Sequence, residues 1–248
     1  MQIIPLSEGE FTIGFDKIFI PFNPALHNLA DRSRGSLLVE VQPFCIITKK
    51  DIILLDTGLG YCNPNGVLQI HQNLINAGIN PMEVTKVILS HLHKDHSGGI
   101  SKEDAVLGHR FISFPAATYY VSEAELNYGL AKDSPSFTPK EFEILRSISN
   151  VTLLPSKGII DGYITHWQTG GHSPYHQAFL IENDGEKIFF GGDEAPQLKQ
   201  LKTRYAAKYD ADPKLAMELR SQFLAQGTAE KWTFLFYHDI KTPFWKAE

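Results

Sequence analysis

The sequence predicts a layered α/β domain, with helices outside paired sheets, on two observations. Two series of β-branched and aromatic segments read as strands, and each series is followed by segments with helical spacing. No repeat, low-complexity tract or linker divides the 248 residues, so 1–248 is read as a single domain with room for a full hydrophobic core.

The first series is "FTIGFDKIFIPF" (11–22) and "LLVEVQPFCIITKKDIILLDTG" (37–58), punctuated by Gly, Pro and a Lys-Lys-Asp turn. Between them, residues 23–36 read as a long surface loop, a usual place for a functional lid. "VLQIHQNLINA" (67–77) has helical spacing, with Gly78 as its terminating residue. "VTKVILS" (84–90) reads as a buried strand. Ser122 followed by Glu125 predicts a capping box for a helix near 123–131, and "KEFEILRSI" (140–148) reads as another helix. The second strand series is 151–155, 163–171, 176–183 and 186–193. Asp212-Pro213 then opens an amphipathic helix with Leu215, Leu219 and Phe223 on one stripe, and "WTFLFY" (232–237) is a last strand.

Composition excludes several partners. A formal charge of −5 offers no field for a phosphate backbone, which argues against nucleic acid. No uncharged apolar run approaches the ~20 residues that span a bilayer, and "MQIIPLSEGEF" lacks the features of a cleaved leader. Cys45 and Cys62 make neither a disulfide framework nor a zinc ribbon. The expectation is a cytoplasmic protein that engages no membrane. Oligomeric state is not legible.

The chemistry concentrates in "SHLHKDHSGG" (90–99). His91, His93, Asp95 and His96 follow a strand, where the turning chain lets side chains converge. Imidazole and carboxylate without thiolate suit Zn²⁺, with Mn²⁺ or Fe²⁺ as alternatives. Adjacent Asp95 and His96 rarely reach one ion together with His91 and His93, so the spacing suggests two ions and further donors elsewhere. His172 in "TGGHSPYH", Asp193 after "FFGG" and His238 after "FLFY" stand at strand ends. His27, His71, His109 and His166 have no motif around them and read as scattered surface or core histidines.

Together with "LLDTGLG" (54–60) and "GGD" (191–193), these motifs resemble the metallo-β-lactamase superfamily in content and order along nearly the whole chain. The resemblance implies a four-layer αββα sandwich with a dinuclear site at one sheet edge. His91, His93 and His172 would hold the first ion, and Asp95, His96 and His238 the second. Asp193 would bridge them, and Asp56 would orient a ligand histidine; its plain alternative is a turn residue. Two ions ~3.5–4 Å apart lower the pKa of a bridging water, and the resulting hydroxide attacks a carbonyl or phosphorus centre. Asp95 and Asp193 are the catalytic candidates, with Asp193 as proton shuttle, although a bridging carboxylate is a poor base.

The segments "TGGHSPYHQ" (169–177), "KYDADP" (208–213) and "FYHD" (236–239) are similar to N-acyl-homoserine lactone lactonases and methyl-parathion-hydrolase-like relatives. That resemblance implies hydrolysis of a small-molecule lactone or ester. Phosphotriesterase and glyoxalase II-like thioesterase chemistry are alternatives, and a non-hydrolytic di-iron redox or sensor protein is the alternative from another class. Glyoxalase II ranks lower because little chain follows His238. One departure stands out. Lactonases carry a tyrosine three residues after the bridging aspartate, where this chain has Pro196. Tyr175 and Tyr237 could replace it, although each reads first as a core aromatic. Glu194 is either a substrate contact or a solvated loop carboxylate. The pocket is expected between the 19–36 loop and the 111–137 segment, with Phe19, Phe22, Phe114, Tyr119, Tyr120 and Tyr128 offering an apolar wall, although each ring taken singly reads first as a core residue.

Overall fold

The structure, a computed structural model, describes residues 1–104 and 106–248. Two six-stranded sheets form its centre. The first runs in spatial order Gln2–Pro5, Phe44–Ile47, Ile52–Leu55, Lys86–Ile88, Thr118–Ser122 and Val151–Leu154. Its last four strands are parallel, so Ile52–Leu55, Lys86–Ile88 and Thr118–Ser122 all end at the same edge. The second runs Lys157–Ile160, Ile164–Gln168, Gln177–Asn183, Glu186–Phe190, Thr233–Leu235 and Phe244–Lys246, with Glu186–Phe190 and Thr233–Leu235 parallel. A three-stranded antiparallel sheet, with Gly9–Ile13 between Phe19–Phe22 and Leu37–Val41, stands beside them.

Strand alternation produces the layers. In Phe44–Ile47, Phe44 and Ile46 face the second sheet while Cys45 faces a cluster with Ile70 and Leu74 of the Gln69–Asn76 helix. In Glu186–Phe190, Ile188 and Phe190 face inward, and Phe189 faces Phe223 of the Pro213–Glu230 helix. Helix, sheet, sheet and helix therefore stack as an αββα sandwich, each sheet apolar on both faces.

Local chemistry sets the helix ends. Asp212 accepts from the Leu215 N–H at 3.0 Å, with Pro213 in the first turn, and Ser122 accepts from the Glu125 N–H at 3.3 Å. The reciprocal half of the capping box is absent, because the Glu125 carboxylate is used elsewhere. The stripe expected at Leu215, Leu219 and Phe223 is instead Ala216, Arg220, Phe223 and Gly227, since a buried arginine occupies its centre. The 140–148 helix is one α turn, Pro139–Phe142, continued as a 3-10 turn, Glu143–Arg146.

Two further expectations are corrected. Val151–Leu154 joins the first sheet beside Thr118–Ser122, because partner choice depends on the crossover that precedes it and not on local pattern. The Thr118–Ser122 strand lies inside the segment expected to wall a pocket, which leaves Phe114, Tyr119 and Tyr120 as the buried core residues that each ring singly suggests.

Away from that shared edge, a polar contact joins the two sheets. Lys86 pairs with Asp51 at 2.5 Å and with Asp161 at 3.0 Å, and the Tyr163 hydroxyl donates to Asp51 at 2.5 Å. Burial alone would raise the Asp51 pKa, but hydrogen bonds from Lys86, Tyr163 and Thr85 outweigh it and lower the value. A depressed carboxylate contributes stability above its unfolded pKa and loses it as pH falls through the folded one. Asp51→Asn is expected to cost on the order of 2 kcal/mol in urea unfolding at pH 7. The deficit relative to wild type should shrink as pH falls through the carboxylate range; a pH-independent deficit would contradict this account.

Candidate metal centre

Strand ends deliver the polar cluster. The Ile52–Leu55 strand runs directly into Asp56, whose φ of 56° is left-handed backbone, a strain characteristic of functional turns. Its carboxylate accepts from the Ser90 N–H and Ser90 hydroxyl, each at 2.7 Å, and meets His96 Nδ1 at 2.7 Å. Lys86–Ile88 leads to His91, and the short Lys94–Ser97 helix places Asp95 and His96. From the second sheet, Ile164–Gln168 leads to His172, Glu186–Phe190 to Asp193, and Thr233–Leu235 to His238.

The glycines of "TGGH" and "GGD" have steric reasons. A Cβ on Gly171 would lie 2.1 Å from Glu194 Oε1 and 2.8 Å from the Ala216 backbone. Gly192 has φ 46° and sits against His176 and Ser90, where a Cβ would come within 2.7 and 2.8 Å.

His91, His93 and His172 bring one nitrogen each within 4.8 Å of one another, and an Asp95 carboxylate oxygen and one nitrogen each of His96 and His238 form a second such group. Asp193 lies between the two groups. Its Oδ1 is 3.0 Å from His238 Nε2 and 3.3 Å from His96 Nε2, while its Oδ2 is 3.2 Å from His172 Nε2. Asp56, His91 and His96 form a third such group, but the Asp56 oxygens are already engaged by Ser90 and His96.

Charge balance inside the cluster is tight. Burial favours neutral Asp193, yet His238, His96 and His172 overcome it and hold its carboxyl well below the usual range. Burial and the neighbouring imidazoles keep His91 and His93 well below the usual histidine range. Among the described residues, buried His91 Nε2, His96 Nε2 and Asp193 Oδ1 have no hydrogen-bond partner. Buried polar atoms left without partners are costly, and these converge on the two groups, so the donor set fits divalent cations.

Residues 39–238 match the Metallo-beta-lactamase superfamily. The chain belongs to that superfamily.

Its fold is shared with a probable metal-dependent hydrolase from Staphylococcus aureus at TM-score 0.80 and 21% identity, covering 99% of this chain and 91% of that one. An N-acyl homoserine lactonase, AttM, of Azorhizobium caulinodans is 32% identical over 111 residues, which are 42% of this chain and 38% of the relative. The human acyl-coenzyme A thioesterase MBLAC2 is 26% identical over 158 residues, 57% of this chain and 53% of the relative. The chain thus spans well under two thirds of the length of these curated relatives.

A second row of groups in this metallo-β-lactamase fold, mostly not singled out by motif, orients the first. His172 Nδ1 meets buried Asp210 at 2.9 Å, and His238 Nδ1 donates to the Glu40 carbonyl at 2.6 Å, leaving Nε2 for the centre in both. Glu194 is no solvated carboxylate. It is buried and accepts the Gly171 and His172 N–H groups at 3.1 and 3.2 Å, and Arg220 Nη1 donates to its backbone carbonyl at 3.1 Å. His176 accepts the Asp193 N–H at 3.2 Å through Nε2 and meets Thr169 Oγ1 at 2.8 Å through Nδ1. It stands four residues after His172, the one signal by which it could have been found. Glu125 accepts from the Leu92 N–H at 3.1 Å and from the Ser173 hydroxyl at 2.9 Å, tying the His91–His93 loop to the His172 loop.

Tyr237 stacks on His96 with centroids 4.0 Å apart and donates to the Asp95 carbonyl at 2.6 Å, so its hydroxyl is engaged in positioning. Tyr175 packs on Tyr128, and Phe137, which packs on Tyr128 too, lies 4.9 Å from the His93 ring. His27, His71 and His166 lie in contacts of their own: His27 on Phe22, His71 on Phe114 and His166 on Gln177.

Removing Glu125 leaves a buried N–H and a hydroxyl without their acceptor. Glu125→Ala is therefore expected to cost on the order of 2–3 kcal/mol in urea unfolding, and Glu125→Gln, which keeps an acceptor, distinctly less. Equal losses would mean that packing, and not the hydrogen bonds, is what Glu125 supplies.

Proposed function

We propose that this chain is a dinuclear metal-dependent hydrolase of small-molecule lactones or esters. The observation that carries this reading is the placement of Asp193, with one carboxylate oxygen toward His172 and the other toward His96 and His238. His91, His93 and His172 would hold one ion and Asp95, His96 and His238 the other, with Asp193 between the two groups. A donor set of imidazoles and carboxylates without thiolate suits Zn²⁺. When bound, the two ions supply Lewis acidity and a water that ionises near neutral pH.

The chain's own part is orientation. Asp56 and Asp210 fix the ring faces of His96 and His172, and Glu125 and Glu194 fix the loops that carry them. Preset rings and a preset carboxylate remove reorganisation from the reaction. His93 is half-buried where the other residues of the two groups are buried, which favours its side as the approach for substrate, past Phe137. The exposed apolar residues Phe15 and Ile18 belong to a loop, and Ile20 to the strand that follows it; the loop is held there by the Lys94 ammonium on the Lys17 carbonyl at 3.0 Å, which suits a hydrocarbon-bearing substrate. The AttM match favours a lactone, and the MBLAC2 match supports a thioester as the second reading. Among the described residues no helix is long and apolar enough to cross a membrane.

Metal-depleted protein reloaded with zinc should bind about two ions and turn over at least one member of a lactone, ester, thioester and aryl phosphotriester panel. His91→Ala and Asp193→Ala should each lower kcat/KM by about 10²-fold or more. A zinc-loaded chain inert across the panel, with an air-sensitive absorbance when iron is bound, would sink the hydrolase reading in favour of a di-iron redox role.

A further inference from the structure

Position 196, three residues after Asp193, is a buried proline whose carbonyl accepts the His238 N–H at 3.0 Å. It offers no side-chain donor. Tyr237, beside the cluster, has its hydroxyl committed to the Asp95 carbonyl. A third phenol, Tyr209, comes from the loop that also supplies Asp210. Its ring centroid is 6.1 Å from that of His172, and it is only part-buried.

Hydrogen-bond polarity can be followed from a fixed point to its hydroxyl. The His238 carbonyl can only accept, so the group facing it at 2.9 Å is the Gln197 amide nitrogen, which turns Gln197 Oε1 away. That oxygen requires a donor, so the Gln200 group 3.2 Å from it is Nε2. The second N–H of Gln200 Nε2 then reaches the Tyr209 oxygen at 3.0 Å. Tyr209 is thus an acceptor in this chain of amides, and among the described residues its own hydroxyl donates to no other group. The phenol is tied to a ligand residue of each group: its ring flanks His172, and its oxygen is linked through two glutamines to the backbone of His238.

We propose that Tyr209 is a catalytic residue that donates its phenolic hydrogen bond to the substrate oxygen on which negative charge develops. The assignment rests on the hydrolase reading above. In ring opening, water adds across the ester: its oxygen bonds the carbonyl carbon, and the ring C–O bond breaks with its electron pair leaving on the ring oxygen. One water proton ends on that oxygen and the other is released from the new carboxyl. Tyr209 keeps its proton throughout and stabilises charge only.

Two measurements on zinc-loaded Tyr209→Phe test this. On whichever panel substrate wild type turns over, kcat should fall about 10²-fold with KM nearly unchanged and zinc content intact. Independently of turnover, hexanoate, a simple stand-in for the carboxylate product, should bind the variant about tenfold more weakly by calorimetry. Wild-type kcat in the variant overturns the assignment and leaves the hydrolase reading standing. If wild type is inert on the whole panel, that reading fails, and hexanoate alone decides Tyr209. Equal affinity in both chains, or no saturable binding in either, then overturns it.

Discussion

Buried charge has to be balanced within a few ångströms, and the organisation of the sheet edge follows from that. Asp193 is an ionised carboxylate removed from water, which is tolerable only because His96, His172 and His238 stand around it. Burial, with His96 and His172 close by, excludes protons from His91 and His93, leaving neutral nitrogens that can bind a cation. A cluster so arranged has no relaxed state of its own. Left to themselves the rings would rotate toward any available donor. What prevents this is an outer row of acceptors, Asp56, Asp210 and the Glu40 carbonyl, each holding the nitrogen that faces away from the centre.

The outer row is also where the site meets the fold. Tyr237 belongs to the cluster of side chains between the sheets, yet its hydroxyl fixes the Asp95 carbonyl and its ring lies on His96. Glu125 begins a helix on the outer face of the first sheet and reaches the loops on either side of the first histidine group. Arg220, at the centre of a helix face that would otherwise be apolar, donates to the Glu194 and Tyr205 carbonyls. Each interrupts a pattern that packing alone would have filled with a hydrophobe. Such interruptions lower the stability available from the core and raise the precision of the edge.

How much of this was legible follows from which forces act locally. Alternation and caps are local, so most strands and both capped helices could be read directly, and the ligand motifs could be read because consecutive turns must carry them. Strand partnership is not local, which is why Val151–Leu154 reads equally well in either sheet. The Gln2–Pro5, Lys157–Ile160 and Phe244–Lys246 strands were missed because they are short edge strands with little alternation to detect. The roles of Glu125, His176 and Asp210 were hidden for another reason. A capping pattern, a four-residue interval or a carboxylate within a motif does not say what the side chain touches, and its role exists only once a loop from a distant part of the chain arrives beside it.

Substrate choice belongs to the same non-local category, and position 196 shows why. A tyrosine there and a proline there are alternative uses of one turn. In this chain the turn is spent on the backbone, with the Pro196 carbonyl fixing the strand end that bears His238. The next residue, Gln197, continues that role at the His238 carbonyl, and Gln200 passes the constraint on to Tyr209. Rigidity of the ligand strand and placement of a phenol are thus served by one continuous set of hydrogen bonds. A departure that looks like the loss of a functional group is, in three dimensions, a transfer of the hydroxyl to a loop 13 positions downstream (209 − 196). The shape of that loop, and not the metal-binding pattern, decides which substrate oxygen it can reach.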